Sequence, residues 1–514
     1  MKNKKIILSI VASIALIVLI IGATYAYFQA QTGEGAQTDI KINANTVDTF
    51  TFEVGSALNL SLNQENFASG KGNQTGTTFA KAMLTANNKT NTATEHYYLY
   101  LNISKNTFTY SIDNNTPEIL LSIKDGSNNE ITIVSGLTYK TVTDGKGASI
   151  KGFDITTKTG LVTILNNREI TTTSSKTEEW NITVIFVNYN SNQAGNAGKN
   201  FSAKLMIQKE EYKQTLAEYV KSQYTGTQGE NSLYYHNSSL TNGAGDNSYR
   251  YAGASESVNN FVCFGSTETP CPTDNLYRTI GVIDGKVKLI KYDYATSTLL
   301  GTDGDYQESW TPDASTYKGS LTSIDKYSWN YKATNSASNT WSTSLLNKTN
   351  LNTNFINKIG SAWANKIAIT TWKVGGGASE NIYSSVPATA YQYEVGSSAS
   401  STTYDAKIGL MYVSDYYYSA SPSDWTLVGY NIRDSTKDYR AATGNNWMYM
   451  GYTEWTISRD SVSSNYAFTV FINGNVSNYV GTDSSIGVRP SFNLESSVKY
   501  VSGSGSKSNP IRIN

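Results

Sequence analysis

The longest hydrophobic stretch of the chain lies at its N-terminus. Three lysines precede residues 6–23, a mostly apolar stretch that contains no charged residue. This arrangement is typical of export segments, and the stretch reaches the roughly 18 residues that a membrane-spanning helix requires. Residues 1–28 are therefore predicted to be either a signal peptide or an anchor in the cytoplasmic membrane. The rest of the chain is expected in the cell envelope or the medium.

Beyond this segment, apolar and polar residues alternate in short runs. Residues 29–208 contain runs at 50–54, 98–103, 131–133 and 181–187. A period of two indicates half-buried β-strands, and turn-forming Asp, Asn and Gly separate the runs as they do in hairpins. The pattern predicts a β-sandwich domain over residues 29–208.

Residues 209–254 have a different pattern. Apolar side chains recur at helical spacing over residues 210–223, which predicts a short helix. Gly- and Asn-rich sequence without periodicity follows and predicts a linker, so the boundary between two domains is expected here. His236 lies among tyrosines in this stretch and is interpreted as part of a surface aromatic cluster rather than as a ligand site.

The second predicted domain covers residues 255–514. Cys263 and Cys271 are the only cysteines of the chain, and their closeness in an exported protein predicts a disulfide that closes a loop. Alternating runs on both sides of Asp284 and Gly285 predict a β-hairpin with a two-residue turn.

The later part of this domain mixes helical and strand patterns. Apolar positions at residues 349–359 predict an amphipathic helix. Long polar loops separate further runs that predict strands, at residues 372–376, 408–416, 455–458, 467–470 and 486–492. The pattern predicts an α+β domain with long loops.

Composition excludes several classes of function. The chain has 41 basic and 41 acidic residues, so no net field attracts nucleic acid. It has only two histidines, which excludes most zinc sites and His-dependent hydrolases. Asp303 and Asp305 lack the further oxygen ligands of a calcium loop and are interpreted as a turn. We therefore expect no metal, no cofactor and no enzymatic activity.

The N-terminal part resembles a known family. Ala26, Tyr27 and Phe28 follow the apolar stretch, as in the export signals of the camelysin and biofilm-matrix-fibre family of Gram-positive bacteria. The resemblance extends over the first domain to late strands near residues 180–186 and 201–208. It implies a jelly-roll-like sandwich, and fibre assembly by strand donation from the segment after Phe28. A spacer that lifts the second domain off the envelope is the alternative.

The second domain resembles uncharacterised C-terminal domains of exported Firmicutes proteins, which are related to the C-type-lectin-like and formylglycine-generating-enzyme-like fold. The matching elements are the Cys263 loop, residues 277–282, 409–416 and 487–490, the strand at Trp455 and the terminal segment 504–510. The resemblance implies that Arg489 is a buried structural arginine paired to a carboxylate or to carbonyls. The late cysteines of the enzymes and the calcium-binding pairs of the lectins are not present in this sequence, so neither activity is expected.

Aromatic residues are frequent between the later predicted strands. They are interleaved with Ser, Asn and Gly, a mixture that is typical of binding loops. The candidate ligand-binding residues are Tyr416, Tyr417, Tyr418, Trp425, Tyr430, Tyr439, Trp447 and Tyr449. The alternative is that these aromatic residues pack a loop-rich core.

The expected fold is mainly β, with an N-terminal jelly-roll-like β-sandwich and a C-terminal α+β C-type-lectin-like domain. The expected function is that of an exported cell-surface binding or adhesion protein, whose C-terminal loops recognise an extracellular glycan or protein ligand. A structural subunit that self-assembles into a surface fibre or biofilm matrix is the alternative.

Overall fold

The computed structural model describes residues 48–67, 70–87, 91–396 and 401–514. The predicted export segment over residues 1–28 and the donor segment after Phe28 lie outside these ranges. None of the helices within the described ranges combines the length and the apolar character needed to cross a membrane. The chain divides into two units, with the boundary between Tyr212 and Lys213.

Strands dominate both units. About 37% of residues are in strands and 15% in helices, and the sheets are largely antiparallel. The prediction of a mainly β chain that includes a β-sandwich is therefore confirmed. The C-type-lectin-like topology of the second unit stays a prediction.

The first unit consists of two antiparallel sheets, one with the strand order β1-β3-β9-β5-β7-β6 and one with the order β2-β10-β4-β8. Their bounds are β1 Thr49–Val54, β2 Leu58–Ser61, β3 Gln74–Thr85, β4 Ala93–Asn106, β5 Ile119–Asp125, β6 Tyr139–Thr143, β7 Ser149–Asp154, β8 Gly160–Thr172, β9 Ser175–Phe186 and β10 Asn200–Gln208. Short 3-10 turns lie at Gln64–Phe67 and Ala194–Asn196.

Alternating residues from both sheets form one core. Leu99 and Leu101 of β4 are buried in the same cluster as Ile182 and Val184 of β9. Because successive residues of a strand point to opposite faces, the period of two in the sequence becomes the inner face of a sandwich.

The prediction of a strand at residues 131–133 is wrong. This segment belongs to no named strand, and Ile133 is 86% exposed. The Asp125 carboxylate accepts hydrogen bonds from the backbone N–H groups of Ser127 and Asn129, which closes a tight turn directly before the segment. A second turn follows the segment, in which the N–H of Leu137 donates to the carbonyl of Val134, so only a few extended residues lie between the two turns.

The second unit is built around two larger sheets, with the strand orders β11-β12-β14-β15-β25-β20 and β16-β17-β24-β21-β22-β23. Strand β13 also pairs with β14, and β18-β19 and β26-β27 form separate pairs. Their bounds are β11 Leu233–Tyr235, β12 Tyr249–Tyr251, β13 Phe261–Cys263, β14 Leu276–Ile283, β15 Lys286–Lys291, β16 Tyr306–Trp310, β17 Ile324–Tyr327, β18 Thr370–Gly375, β19 Ser401–Ala406, β20 Ile408–Gly409, β21 Glu454–Arg459, β22 Tyr466–Val470, β23 Val476–Gly481, β24 Ile486–Gly487, β25 Ser491–Asn493, β26 Tyr500–Ser502 and β27 Arg512–Ile513.

The helices of this unit are short. They are α1 Leu216–Ser222, α2 Ser297–Leu300, a π-helix Leu346–Phe355 that continues into α3 Ile356–Ile359, α4 Ser361–Ala364, α5 Ser379–Ile382, α6 Pro387–Glu394 and α7 Val413–Tyr418. Short 3-10 turns lie at Glu230–Ser232, Thr273–Asn275, Trp341–Thr343, Pro422–Asp424 and Ser435–Lys437. The helix predicted at residues 349–359 therefore lies in a helical segment.

The segment predicted as helix and linker, residues 209–254, is mostly part of the second unit. Helix α1 begins at Leu216 because Thr215 and Glu218 form a capping box before it. After the helix, β11 pairs with β12, and β12 joins β14 in the large sheet. The Gly- and Asn-rich residues are the turns between these short strands, so the interpretation as a linker is corrected.

Two local predictions are confirmed. Strands β14 and β15 pair with Ile283 opposite Lys286, and the turn residues Asp284 and Gly285 both have positive φ angles, 49° and 74°. Positive φ at both positions is the geometry of a type I′ turn, which favours glycine at the second position. Cys263 and Cys271 form a disulfide, with 5.9 Å between their Cα atoms.

The strand predicted at residues 408–416 ends after Gly409, at the end of β20. Helix α7 follows, because Asp415 accepts a hydrogen bond from the backbone N–H of Tyr412 at the start of the helix. Glu394 of α6 accepts from the N–H groups of Val413 and Ser414. These two carboxylates satisfy the free N–H groups of a helix start, which overrides the alternating pattern.

His236 is fully buried, so the interpretation that it lies in a surface cluster is wrong. Its ring packs against Tyr418 and Trp425, and its Nδ1 accepts a hydrogen bond from the N–H of Ala244. The proton of the neutral ring is therefore on Nε2. Burial, and then the positive charge of Arg250, lower the pKa of His236 to about 3, while Asp246 raises it.

We expect the imidazole of His236 to remain neutral at pH 5. In a His96→Gln variant, His236 is the only histidine, and 15N NMR is expected to show the Nε2-protonated neutral ring at that pH. Because the unfolded chain binds this proton at about pH 6.5, the free energy of unfolding is expected to fall as the pH drops below about 6.5. Titration of the ring with a midpoint near 6.5 would contradict this placement.

Candidate functional site

Most of the predicted ligand-binding aromatic residues lie in the core. Seven of the eight are buried, with at most 7% of their surface exposed, so for all of these except Tyr449 the assignment as ligand contacts is corrected. The seven are Tyr416, Tyr417, Tyr418, Trp425, Tyr439, Trp447 and Tyr449. The alternative, that aromatic residues pack a loop-rich core, describes six of them; only Tyr449 also lines a surface depression.

The buried tyrosines donate to backbone carbonyls. The hydroxyl of Tyr416 donates to the carbonyl of Gly474 at 2.7 Å, and the hydroxyl of Tyr439 donates to that of Tyr417 at 2.9 Å. The indole of Trp447 donates to the carbonyl of Tyr251 at 2.8 Å. These hydrogen bonds tie a turn, a short helix and the end of strand β12 to the core, which is a structural role.

Tyr430 is the one predicted contact that remains half-exposed. The guanidinium of Arg440 lies 5.1 Å from the centre of its ring. Arg440 is itself held by two oxygens of the Asp438 carboxylate, which leaves little of its charge for a ligand.

A polar depression elsewhere on the second unit is the stronger candidate. It consists of two adjoining hollows of about 340 and 410 Å³ that share Ser255, Glu256 and Tyr292, and we call it the Tyr292 depression. Its other lining residues are Ala254, Val258, Asn259, Phe261, Lys318, Gly444, Tyr449, Met450, Ser506, Lys507 and Ser508.

Two lysines border the depression, and each lies over a tyrosine ring. The ammonium of Lys507 is 4.7 Å from the ring centre of Tyr292 and donates to its hydroxyl at 3.1 Å. The ammonium of Lys318 is 4.7 Å from the ring centre of Tyr449 and donates to the carbonyl of Thr443 at 3.1 Å. Contacts of this kind hold a flexible lysine in place while its charge stays exposed to solvent.

Partial burial affects the protonation of one of these lysines. Burial lowers the pKa of Lys318, and the negative charge of Glu256 opposes this shift. The rim of the depression therefore carries two ammonium groups and one carboxylate. With serine hydroxyls and Asn259 between them, it offers hydrogen bonds and a net positive charge to a polar ligand.

A buried arginine supports the wall that the two hollows share. Arg278 of β14 lies between two rings, 4.4 Å from the centre of Phe261 and 4.7 Å from that of Trp447. Its guanidinium donates to the hydroxyl of Ser255 at 2.8 Å and to the carbonyl of Val258 at 2.8 Å. These contacts fix the lining segment, residues 254–259, from the interior of the unit before any ligand binds.

Arg489 supports other lining residues of the depression, and it is paired with a carboxylate, as the resemblance implied. It forms two hydrogen bonds with Glu454, of 2.6 and 2.7 Å, and both side chains are 1% exposed. Two further N–H groups donate to the carbonyls of Met448 and Tyr292. Arg489 therefore fixes the backbone at Tyr292 and beside Tyr449.

The aspartates considered for calcium have a different role. The carboxylate of Asp305 is buried and accepts hydrogen bonds from the backbone N–H groups of Lys332, Leu345 and Leu346. Within the ranges that the structure describes, no three His, Cys, Asp or Glu side chains are grouped in a way that would hold a metal ion.

The lysines that carry the positive charge of the depression were not predicted from the sequence. Lys318 lies in a loop between β16 and β17, and Lys507 lies in the turn between β26 and β27. Neither lies in a periodic run, and only the tertiary structure brings them to the same depression. Lys507 does fall in the Ser-rich terminal segment, residues 504–510.

A scan against protein-family models matches no family. A search of curated proteins likewise finds no similar protein. The two resemblances drawn from short motifs stay predictions.

We expect Arg489→Met to destabilise the second unit strongly. The substitution leaves Glu454 buried without its cation, and burial already raises the pKa of this carboxyl. Loss of one partner of a buried pair costs about 3–5 kcal/mol, measured as the free energy of unfolding in urea.

The double variant Arg489→Met/Glu454→Met tests the pairing itself, because it removes both charges. It is expected to be more stable than the single variant. Arg433→Met, at an exposed arginine, is the matched control and is expected to change stability by at most about 0.5 kcal/mol. Equal unfolding free energies for Arg489→Met and this control would refute the role of the pair.

Proposed function

We propose that the chain is an exported cell-surface binding protein whose second unit binds an acidic glycan in the Tyr292 depression. The observation that carries the proposal is the pair of exposed lysines, Lys318 and Lys507, each held over a tyrosine ring on one polar depression. A carboxylated or phosphorylated sugar matches this surface, since it has hydroxyls for the serines and an anionic group for the lysines.

The construction of the depression supports this proposal. Its lining segments are held by buried arginines rather than by ligand, so the surface is preformed and little ordering free energy is lost on binding. The ring of Tyr292 packs edge-on against Phe261, with 5.2 Å between ring centres. Its hydroxyl already accepts from Lys507, so its own proton is available to an acceptor on the ligand.

The export part of the proposal is supported by the disulfide between Cys263 and Cys271. Disulfides persist in oxidising compartments outside the cytoplasm. The N-terminal sequence, with its basic start and apolar stretch, points to the same location.

We expect Lys318→Gln and Lys507→Gln each to weaken binding of an acidic glycan about threefold to tenfold, because each removes one exposed charge contact. A glycan array with the purified protein identifies the acidic sugars, and titration calorimetry measures the dissociation constants. Glu256→Gln is expected to tighten binding, because it removes a negative charge from the same rim.

Two controls make this test specific. Lys358→Gln, at an exposed lysine outside the depression, is expected to leave binding unchanged. Added salt is expected to weaken the wild type more than the double variant Lys318→Gln/Lys507→Gln, because salt screens exposed charges. An array without acidic-glycan binding, or equal loss in the Lys358 variant, would refute the proposal.

A further inference from the structure

A buried lysine and a buried aspartate meet inside the second unit, away from the lining of the Tyr292 depression. The Nζ of Lys288, on β15, is 2.5 Å from Oδ2 of Asp415, on α7. Their side chains are 5% and 3% exposed. The two residues are 127 positions apart in the chain, so only the folded structure brings them together.

Aromatic rings enclose the amine. The Nζ of Lys288 lies 4.5 Å from the ring centre of Tyr412 and 5.4 Å from that of Trp372, and Trp372 is itself fully buried. In such surroundings the charged forms of both groups lose their hydration, and the ion pair offsets this loss only in part.

The protonation tendencies agree with this environment. Burial lowers the pKa of the Lys288 amine, against the attraction of Asp415. A second buried carboxyl, Glu394, has its pKa raised first by burial and also by the charge of Asp415. Burial therefore works against the charged forms of the amine and of this nearby carboxyl, and an uncharged amine is a nucleophile.

The two oxygens of Asp415 have different partners. Oδ2 accepts from Lys288 and from the N–H of Tyr412 at 2.9 Å, whereas Oδ1 accepts from the guanidinium of Arg250 at 3.3 Å. Arg250 is also held by Asp246 at 2.8 Å. A fixed cation on Oδ1 is placed to stabilise negative charge that develops there during attack on the carboxyl carbon.

We propose that Lys288 and Asp415 become joined by an intramolecular isopeptide bond after the second unit folds. The lone pair of Nζ attacks Cγ of Asp415, a C–N bond forms, and the C–Oδ2 bond breaks. Oδ2 leaves with two protons from the amine as one water molecule, and Oδ1 remains as the amide carbonyl beside Arg250. An ammonium and a carboxylate thus become a neutral amide and water, so no oxidant or other reactant is needed.

The driving force is the removal of charge from the interior. An amide in place of the ion pair abolishes the desolvation cost of two buried ions. The fold already holds the two groups together, so the reaction avoids the loss of entropy that a bimolecular condensation entails. The bond would fasten the central sheet strand β15 to the start of α7, a covalent restraint well suited to a protein outside the cell.

The test is peptide mapping of the purified wild-type protein by tandem mass spectrometry. We expect a branched peptide that contains both Lys288 and Asp415 and is lighter than the sum of its two parts by one water molecule. The Lys288→Arg variant keeps a cation but cannot form this bond, and it is expected to yield two separate, unmodified peptides.

Peptide mapping of the wild-type protein tests the isopeptide bond even if the variant does not fold. Separate unmodified peptides around Lys288 and Asp415 overturn the proposal and leave a plain ion pair. Water loss that maps to Asp415 without a branch to Lys288, as in an aspartyl succinimide, overturns it as well.

Discussion

The buried ion pair of Arg489 and Glu454 is the interaction on which the organisation of the second unit depends. A guanidinium and a carboxylate that are both 1% exposed are stable when two hydrogen bonds pair them and when further N–H groups of the guanidinium find acceptors. The acceptors are the carbonyls of Met448 and Tyr292. Satisfying one buried charge therefore fixes the backbone beside the proposed ligand site, so the interior and the surface are set by the same contacts.

The abundance of tyrosine follows from the loops rather than from the ligand. Irregular segments leave backbone carbonyls without ladder partners, and an unpaired buried carbonyl is unfavourable. Tyr416 donates its hydroxyl to a carbonyl of this kind, that of Gly474, whereas Tyr417 and Tyr439 donate to carbonyls of the short helices α5 and α7. The rings of all three fill the core. A mixture of Tyr, Ser, Asn and Gly is thus shared by binding loops and by a loop-rich interior, and composition alone does not separate the two.

The sequence patterns predicted those features that depend on neighbouring residues alone. The Asp284–Gly285 hairpin, the disulfide and most strands of the sandwich follow from turn geometry, cysteine spacing and period-two alternation. Helix α7 was missed because a carboxylate distant in sequence, that of Glu394, caps it. The burial of His236 was missed because the rings that cover it, those of Tyr418 and Trp425, lie far along the chain. The candidate site was missed because Lys318 and Lys507 meet only in the tertiary structure.

Water access decides what a lysine beside an aromatic ring does in this protein. Lys288 lies over Tyr412 in the interior, and Asp415 takes up its charge at 2.5 Å. Lys318 and Lys507 lie over rings in the same way, yet both are exposed, and in the described part of the chain no carboxylate lies within ion-pair distance of either. The charge of the interior lysine is therefore shared with its neighbour Asp415, whereas the charges of the two rim lysines are accessible from solvent.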